Sequence, residues 1–389
     1  MGYAAVFSEQ GSSASHVAAA KTLDAIARMP GMDGQDSDAT GAYTQAQHLG
    51  EETWVSMPRS QWPPAWRKHN GGRGYNKPVV RLALSLYGHP LAGLYWEKHC
   101  RKAVTSCGFE PIEGWECLYV NKKEKLFLSI YVDDFKMAGI KQSTKPMWFR
   151  LQKLLELEEP KPLQNNVYLG SGQSPEPIDE QTIKSKWQLW HTLIKPDEFI
   201  EELMSDPDCS RKLEASKKRK PLATEIPLIG KTENIQAYHY TMGGHAQQCI
   251  DKYLELTGKD KSCLRPVITP CIDDTSIPPE EFEEIGQLSS VAAKIVMKLL
   301  WLGRMNRIDL LWTINVLARN VTKWSVACDR RLLRLMCYLK ATKQHVMHCF
   351  VGDKPQDCRI MAFCDSDFAG CLQTCLLYTS DAADEEDSV

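Results

Sequence analysis

The chain has no uninterrupted apolar run of the roughly 18 residues that a membrane-spanning helix needs, and no leader in which basic, apolar and small residues follow in turn. Neither membrane insertion nor secretion is therefore expected of it. Its 14 cysteines include no Cys-x-x-Cys pair, which excludes zinc ribbons and knuckles and leaves reduced, packing thiols in an intracellular setting, a cytoplasmic particle or the nucleus. The ten histidines form no His-Glu-x-x-His or other metal spacing, so each reads as structural or solvated. No internal repeat is evident. Charge of either sign is also not in excess: the net charge is −2, and +3 once the five acids of the last nineteen residues are set aside. A phosphate-bearing partner would have to be met by local basic surface rather than by the field of the whole chain. What is present is apolar residue enough, 43% of 389 positions, to bury a large core in two or three domains.

One run stands out: Leu126-Phe-Leu-Ser-Ile-Tyr-Val-Asp-Asp-Phe-Lys-Met-Ala-Gly139. Cys117 to Val120 reads as a short strand, Asn121 to Lys125 as a polar turn, Leu126 to Val132 as a β-branched and aromatic strand, and Phe135 to Gly139 as a third strand. This places Asp133 and Asp134 at a hairpin tip. Adjacent carboxylates repel one another unless a cation neutralises them, and a hard cation with oxygen ligands, Mg²⁺ above all, is the usual partner. A solvated Asp-Asp turn is the plain alternative, because so short a motif recurs by chance.

Tyr131-Val-Asp-Asp134, flanked by apolar strands, resembles the YVDD box of reverse transcriptases, specifically of the Copia-type retrotransposon polymerase. In that family a third carboxylate lies upstream on another strand, close to an aromatic residue. Asp38-Ala-Thr-Gly-Ala-Tyr-Thr-Gln-Ala46 is similar to this motif. Leu86-Tyr-Gly-His-Pro-Leu-Ala-Gly-Leu-Tyr-Trp96 resembles the family's segment near template and nucleotide, although Leu91 stands where most relatives have Gln and Leu94 where many have Arg. A Gly-Pro turn feeding a helix over Ala92 to Val104 fits the same residues. Val167-Tyr-Leu-Gly170 and Val267-Ile-Thr-Pro-Cys271 are similar to later family segments, as are Leu300 to Asp309 and Arg331 to Thr342.

The resemblance implies an α+β fold: a reverse-transcriptase palm, with antiparallel sheet packed on helices, partial fingers, a thumb-like insertion, a helical connection and a truncated ribonuclease H-like strand. The corresponding segments are 1–170 for partial fingers and palm, 171–265 for the thumb-like or irregular insertion, 266–358 for the connection, 359–370 for the start of ribonuclease H, and 371–389 for a non-native tail. Asp38, Asp133 and Asp134 would carry catalysis as ligands of two Mg²⁺ ions, with Mn²⁺ as a substitute, in a two-metal displacement that adds dNTPs to a primer. Tyr43 would lie under the sugar and leave no room for a 2′-hydroxyl, with Leu91 and Tyr131 also at the substrate. Partners would be an RNA or DNA template with its primer, and other parts of the Pol polyprotein. Asp365, in Ala362 to Gly370, would be the first carboxylate of a vestigial ribonuclease H site, too few for two-metal hydrolysis. Cys375 to Val389 looks like translated sequencing adapter, and relatives carry an acid at the position of Cys371. Only 37 residues precede Asp38, fewer than the family's fingers region, so this chain is expected to be inactive or weak alone.

Two other readings stay open. The chain could be a catalytically dead relic that at most binds nucleic acid, or the palm could belong to an RNA-dependent RNA polymerase or another nucleotidyltransferase, which Tyr43 opposes. Elsewhere, helical spacing predicts helices over Ser12 to Arg28 behind a serine cap and Met147 to Leu157, a long amphipathic helix contained in Pro279 to Met305, and helices over Asp309 to Asn320 and Cys328 to Ala341. Arg211, Lys212, Lys217, Lys218, Arg219 and Lys220 form a basic cluster that fits duplex backbone, a nuclear localisation signal or a solvated loop. Trp54, Trp62 and Trp66 fit single-strand stacking or a buried aromatic cluster.

Overall fold

Period-two alternation in the run around the Asp pair builds the centre of a six-stranded sheet. A computed structural model describes residues 14–67, 74–164, 166–193, 235–352 and 354–358. The 211–220 basic cluster, Asp365 and the tail lie outside the described residues. In chain order, α1 (Val17–Ile26) leads to β1 (Met32–Asp38) and the single turn α2 (Ala42–Gln45). A two-stranded ribbon, β2 (Trp54–Ser56) with β3 (Val79–Arg81), precedes α3 (Ala92–Ser106). Strands β4 (Glu110–Pro111), β5 (Leu118–Asn121), β6 (Leu126–Tyr131) and β7 (Asp134–Ile140) then run to α4 (Lys141–Gln152) and β8 (Lys161–Pro162). The sheet order is β4-β5-β6-β7-β1-β8, with antiparallel pairing throughout.

The pleat separates the two faces of this sheet. Leu126, Leu128, Ile130, Phe135 and Met137 form one core with Trp96, Cys100 and Val104 of α3 and with Met147, Trp148 and Leu151 of α4. The opposite face takes α1, whose Ala19 and Leu23 pack on Leu118 and Ala138. Gly34 of β1 is on that face, and a Cβ there would meet the side chains of Ala27 and Leu163, so only glycine lets α1 approach so closely.

The second half begins with β9 (Val167–Tyr168), β10 (Ser171–Glu176) and α5 (Glu180–Leu193), and resumes with β11 (Gln236–Thr241) and α6 (Gly243–Thr257). Next come α7 (Ala292–Met305), α8 (Leu311–Arg319), α9 (Val326–Ala341) and β12 (Met347–Val351). A second antiparallel sheet, β12-β11-β10-β9, thus draws strands from segments 1–170, 171–265 and 266–358 alike. Helices α6 to α9 bury Ile250, Tyr253, Ile295, Leu299, Leu302, Ile314, Leu332, Leu335, Met336 and Leu339 in one cluster. No helix among the described residues is long and apolar enough to cross a membrane.

Four local expectations are corrected. The helix expected within Pro279 to Met305 is α7, but Ile285 and Leu288 of its expected stripe lie outside it, in an irregular stretch after a 3-10 turn at Pro279–Phe282. The carboxylate of Asp329 captures Gln287 N at 2.6 Å and Leu288 N at 3.4 Å, and Gly286 N donates to Trp324 O at 3.1 Å, which draws the intervening residues out of helical pairing. Ile285 is left 78% exposed. α1 is capped by His16, whose Nδ1 accepts from Ala18 N at 3.1 Å, instead of by a serine; Ser15 meets the Ser129 hydroxyl at 2.5 Å. α4 starts six residues earlier than Met147 and ends at Gln152. The tryptophans form no buried cluster: Trp54 is exposed, and Trp62 and Trp66 are half-buried beside short 3-10 turns that follow Pro58 and Pro63.

Candidate active site

Antiparallel register brings the two sequence-distant acid motifs together. β1 and β7 pair so that Asp36 faces Lys136 and Asp38 faces Asp134, which puts all four on the α1 face at successive rungs. Tyr131 faces Asp134 across the β6–β7 hairpin, leaving Val132 and Asp133 as its two-residue turn. Val132 sits at φ +58°, a left-handed conformation that a β-branched residue adopts only under constraint from its surroundings. Two such constraints are visible. Trp96 Nε1 donates to Val132 O at 2.6 Å, and Ala39 N donates to Asp133 O at 2.7 Å. The last residue of the Leu86-to-Trp96 segment therefore fixes the turn that carries the acids.

Asp38 and Asp133 are exposed, whereas Asp134 is half-buried. Burial, a hydrogen bond that the protonated Asp134 carboxyl donates to Asp38, and the charges of Asp38, Asp133 and Asp36 push Asp134 up to about 7. Asp134 is therefore the acid of this cluster that keeps its proton toward neutral pH. Below it, burial pushes Asp36 up to about 6, against the pull of the Lys136 ammonium. Tyr43 is half-buried beside this acid end. Burial and then the Asp133 and Tyr87 charges raise its phenol above the ordinary range, and its ring lies 4.6 Å from that of the exposed Tyr87.

The remaining expected residues fall around this pair. Tyr131 is half-buried, with its ring 6.3 Å from Trp301 of α7. Leu91 stands at the start of α3, where its N–H donates to His89 Nδ1 at 3.2 Å; within the same segment it is Tyr87 that reaches Tyr43. Tyr87, Asp36, Lys136 and Asp24 also stand around this acid end, outside the motif acids. Period two was the available signal for the second and third, since each lies two residues from a motif acid and on its face.

Among the described residues, no three His, Cys, Asp or Glu side chains stand assembled around a metal position. The donor set nonetheless fits a hard divalent cation. It consists of carboxylate oxygens only, those of the cross-strand partners Asp38 and Asp134 and of Asp133, exposed at the adjoining turn.

No protein-family model matches the chain. Curated proteins do match over 62 residues, 16% of the chain. The truncated transposon Ty1-A Gag-Pol polyprotein of Saccharomyces cerevisiae is 32% identical there, and so are the Ty1-DR4 and Ty1-DR5 Gag-Pol polyproteins of the same yeast. The matched stretch is 5%, 4% and 3% of those polyproteins, so the chain spans only a small part of their length. These matches support a retrotransposon-derived Pol polyprotein region.

Proposed function

We propose that the acid end of the first sheet is the nucleotidyl-transfer centre of an RNA-directed DNA polymerase of Copia type, adding dNTPs to a primer on an RNA or DNA template. One observation carries the reading: Asp38 and Asp134, nearly a hundred positions apart, are direct cross-strand partners, with Asp133 at the adjoining turn. Asp38, Asp133 and Asp134 would hold two Mg²⁺ ions. When bound, the ions would supply Lewis acidity to the primer 3′-hydroxyl and to the departing pyrophosphate. For that, Asp134 would have to give up the proton that its surroundings favour. Trp96 holds the turn through Val132 O, which keeps Asp133 over the same end of the sheet. Tyr43, with the Tyr87 ring against it, stands beside the acids, and a 2′-hydroxyl would clash with it.

Primer extension by the full chain on an RNA template with Mg²⁺ tests this reading. Asp133→Asn should lose about a hundred-fold or more of the rate. Tyr43→Ala should raise ribonucleotide use relative to deoxynucleotide use by about ten-fold, since a steric clash is removed while the acids are untouched. Equal extension by wild type and Asp133→Asn would rule out these acids as the centre. No extension by wild type under any divalent cation would leave a relic that at most binds nucleic acid.

A further inference from the structure

Lys136 is an anomaly in β7. It is fully buried, lies between Phe135 and Met137 of the main core, and shares its face with Asp134 two residues away. Its Nζ donates to Asp24 Oδ1 of α1 at 2.6 Å, while Asp24 Oδ2 accepts from the Tyr240 hydroxyl of β11 at 2.6 Å. The same ammonium lies 3.8 Å from the centroid of the Tyr168 ring, at β9. Across the register stands Asp36, whose Oδ1 accepts from Asn166 Nδ2 at 2.5 Å and whose buried Oδ2 has no partner. Other cations nearby are engaged elsewhere. Arg28 donates to Asp24 O and Gln173 Oε1 and stacks on Tyr238; Lys161 pairs with Glu158; Lys21 donates to Arg304 O.

An ammonium buried in an otherwise apolar strand is costly unless negative charge offsets it. Here the offsetting charge exceeds one carboxylate. Asp24, Asp36, Asp38 and Asp134 all belong to the face that Lys136 occupies or to the helix laid on it. We propose that Lys136 is the internal counter-cation of the acid site, a positioning residue that holds the β1 and β7 acids in register while no divalent cation is bound. The inference rests on the metal-binding reading of Asp38, Asp133 and Asp134. It assigns to Lys136 a share of the neutralisation that bound ions would otherwise provide alone, and it ties that share to the second sheet through Asp24–Tyr240 and Tyr168.

Thermal unfolding of the full chain in EDTA and in excess Mg²⁺ tests the proposal without requiring activity. Mg²⁺ is expected to raise the wild-type midpoint by about 2 °C, and to raise that of Lys136→Met at least twice as far, because the variant has lost its built-in cation. Adding Asp36→Asn to Lys136→Met should recover part of the loss in EDTA and shrink the Mg²⁺ response again. Should Lys136→Met fail to fold, Asp24→Asn/Lys136→Met removes the ion pair together, leaves Tyr240 an amide oxygen to donate to, and carries the same comparison. An equal Mg²⁺ response in wild type and variant would reduce Lys136 to a packing role and overturn the proposal. The underlying metal reading is judged separately by Asp133→Asn, which should abolish the wild-type response. Absence of any wild-type response would overturn both.

Discussion

Asp134→Asn is expected to make the chain more stable at pH 8 while silencing primer extension. The stability effect follows from the upward shift of this group. An acid whose folded-state pKa stands near 7, against 3.8 for the ordinary group, is protonated in the folded chain over a range where the unfolded chain has ionised it. Below about pH 4 both states carry the proton and the shift has no effect. As pH rises from about 4 to 7, the unfolded state gains relative to the folded one, and above 7 the full penalty is present. At about 1.4 kcal/mol per pKa unit, discounted for solvent screening because Asp134 is only half-buried, the penalty is on the order of 2 kcal/mol. Asn removes it. Urea unfolding at pH 5 and pH 8 should therefore show the variant gaining on wild type as pH rises, by on the order of 1 kcal/mol or more. A constant difference between the two proteins at both pH values would refute the upward shift of Asp134. Stability and activity would here move in opposite directions, as they do where a site holds strained or repelling groups for function.

Such a site was legible in the sequence only where local pattern sufficed. The β6–β7 hairpin could be read from alternating apolar residues and the polar Asn121–Lys125 turn, and the observed strands differ from expectation by a residue or two. The fully buried Leu332, Leu335, Met336 and Leu339 stripe of α9 was likewise readable from spacing of three and four. Long-range capture was not. Nothing around Ile285 and Leu288 announces that Asp329, some forty residues on, will take two backbone N–H groups and end the helical pattern. Lys136 in an apolar strand reads as a solvent-facing residue of the pleat. Its burial depends on Asp24, 112 residues earlier, and on Tyr240, 216 residues beyond Asp24. The palm assignment rests on motif order, while the carboxylate register beneath it required the pairing of β1 with β7.

Gly139→Ala should be among the most damaging single substitutions in the chain, and its effect should reach the acids five residues away. Gly139 lies at φ +152°, within a region that side chains rarely adopt, and a Cβ there would meet the Lys125 carbonyl and lie 2.9 Å from Leu126 Cα. Both obstacles are backbone, so no rotamer change relieves them. The residue also pairs with Asp33 on one side and Leu126 on the other, and the strands on both sides of β7 must therefore move together. Overpacking of a core typically costs about 1–3 kcal/mol, and the added backbone strain of about 1–3 kcal/mol places this change at or above the upper end. Because β7 runs without a break from Gly139 to Asp134, displacement at its end is transmitted along the strand to the Asp38–Asp134 rung. The expected result in urea unfolding is a loss of on the order of 3 kcal/mol or more. Ala138→Gly, which only deletes a methyl one position away on the α1 face, should cost about 1–2 kcal/mol by comparison. If Gly139→Ala unfolded at the same denaturant concentration as wild type, the close β6–β7 approach at Lys125 and Leu126 would be wrong, and with it the register that aligns the two acid motifs.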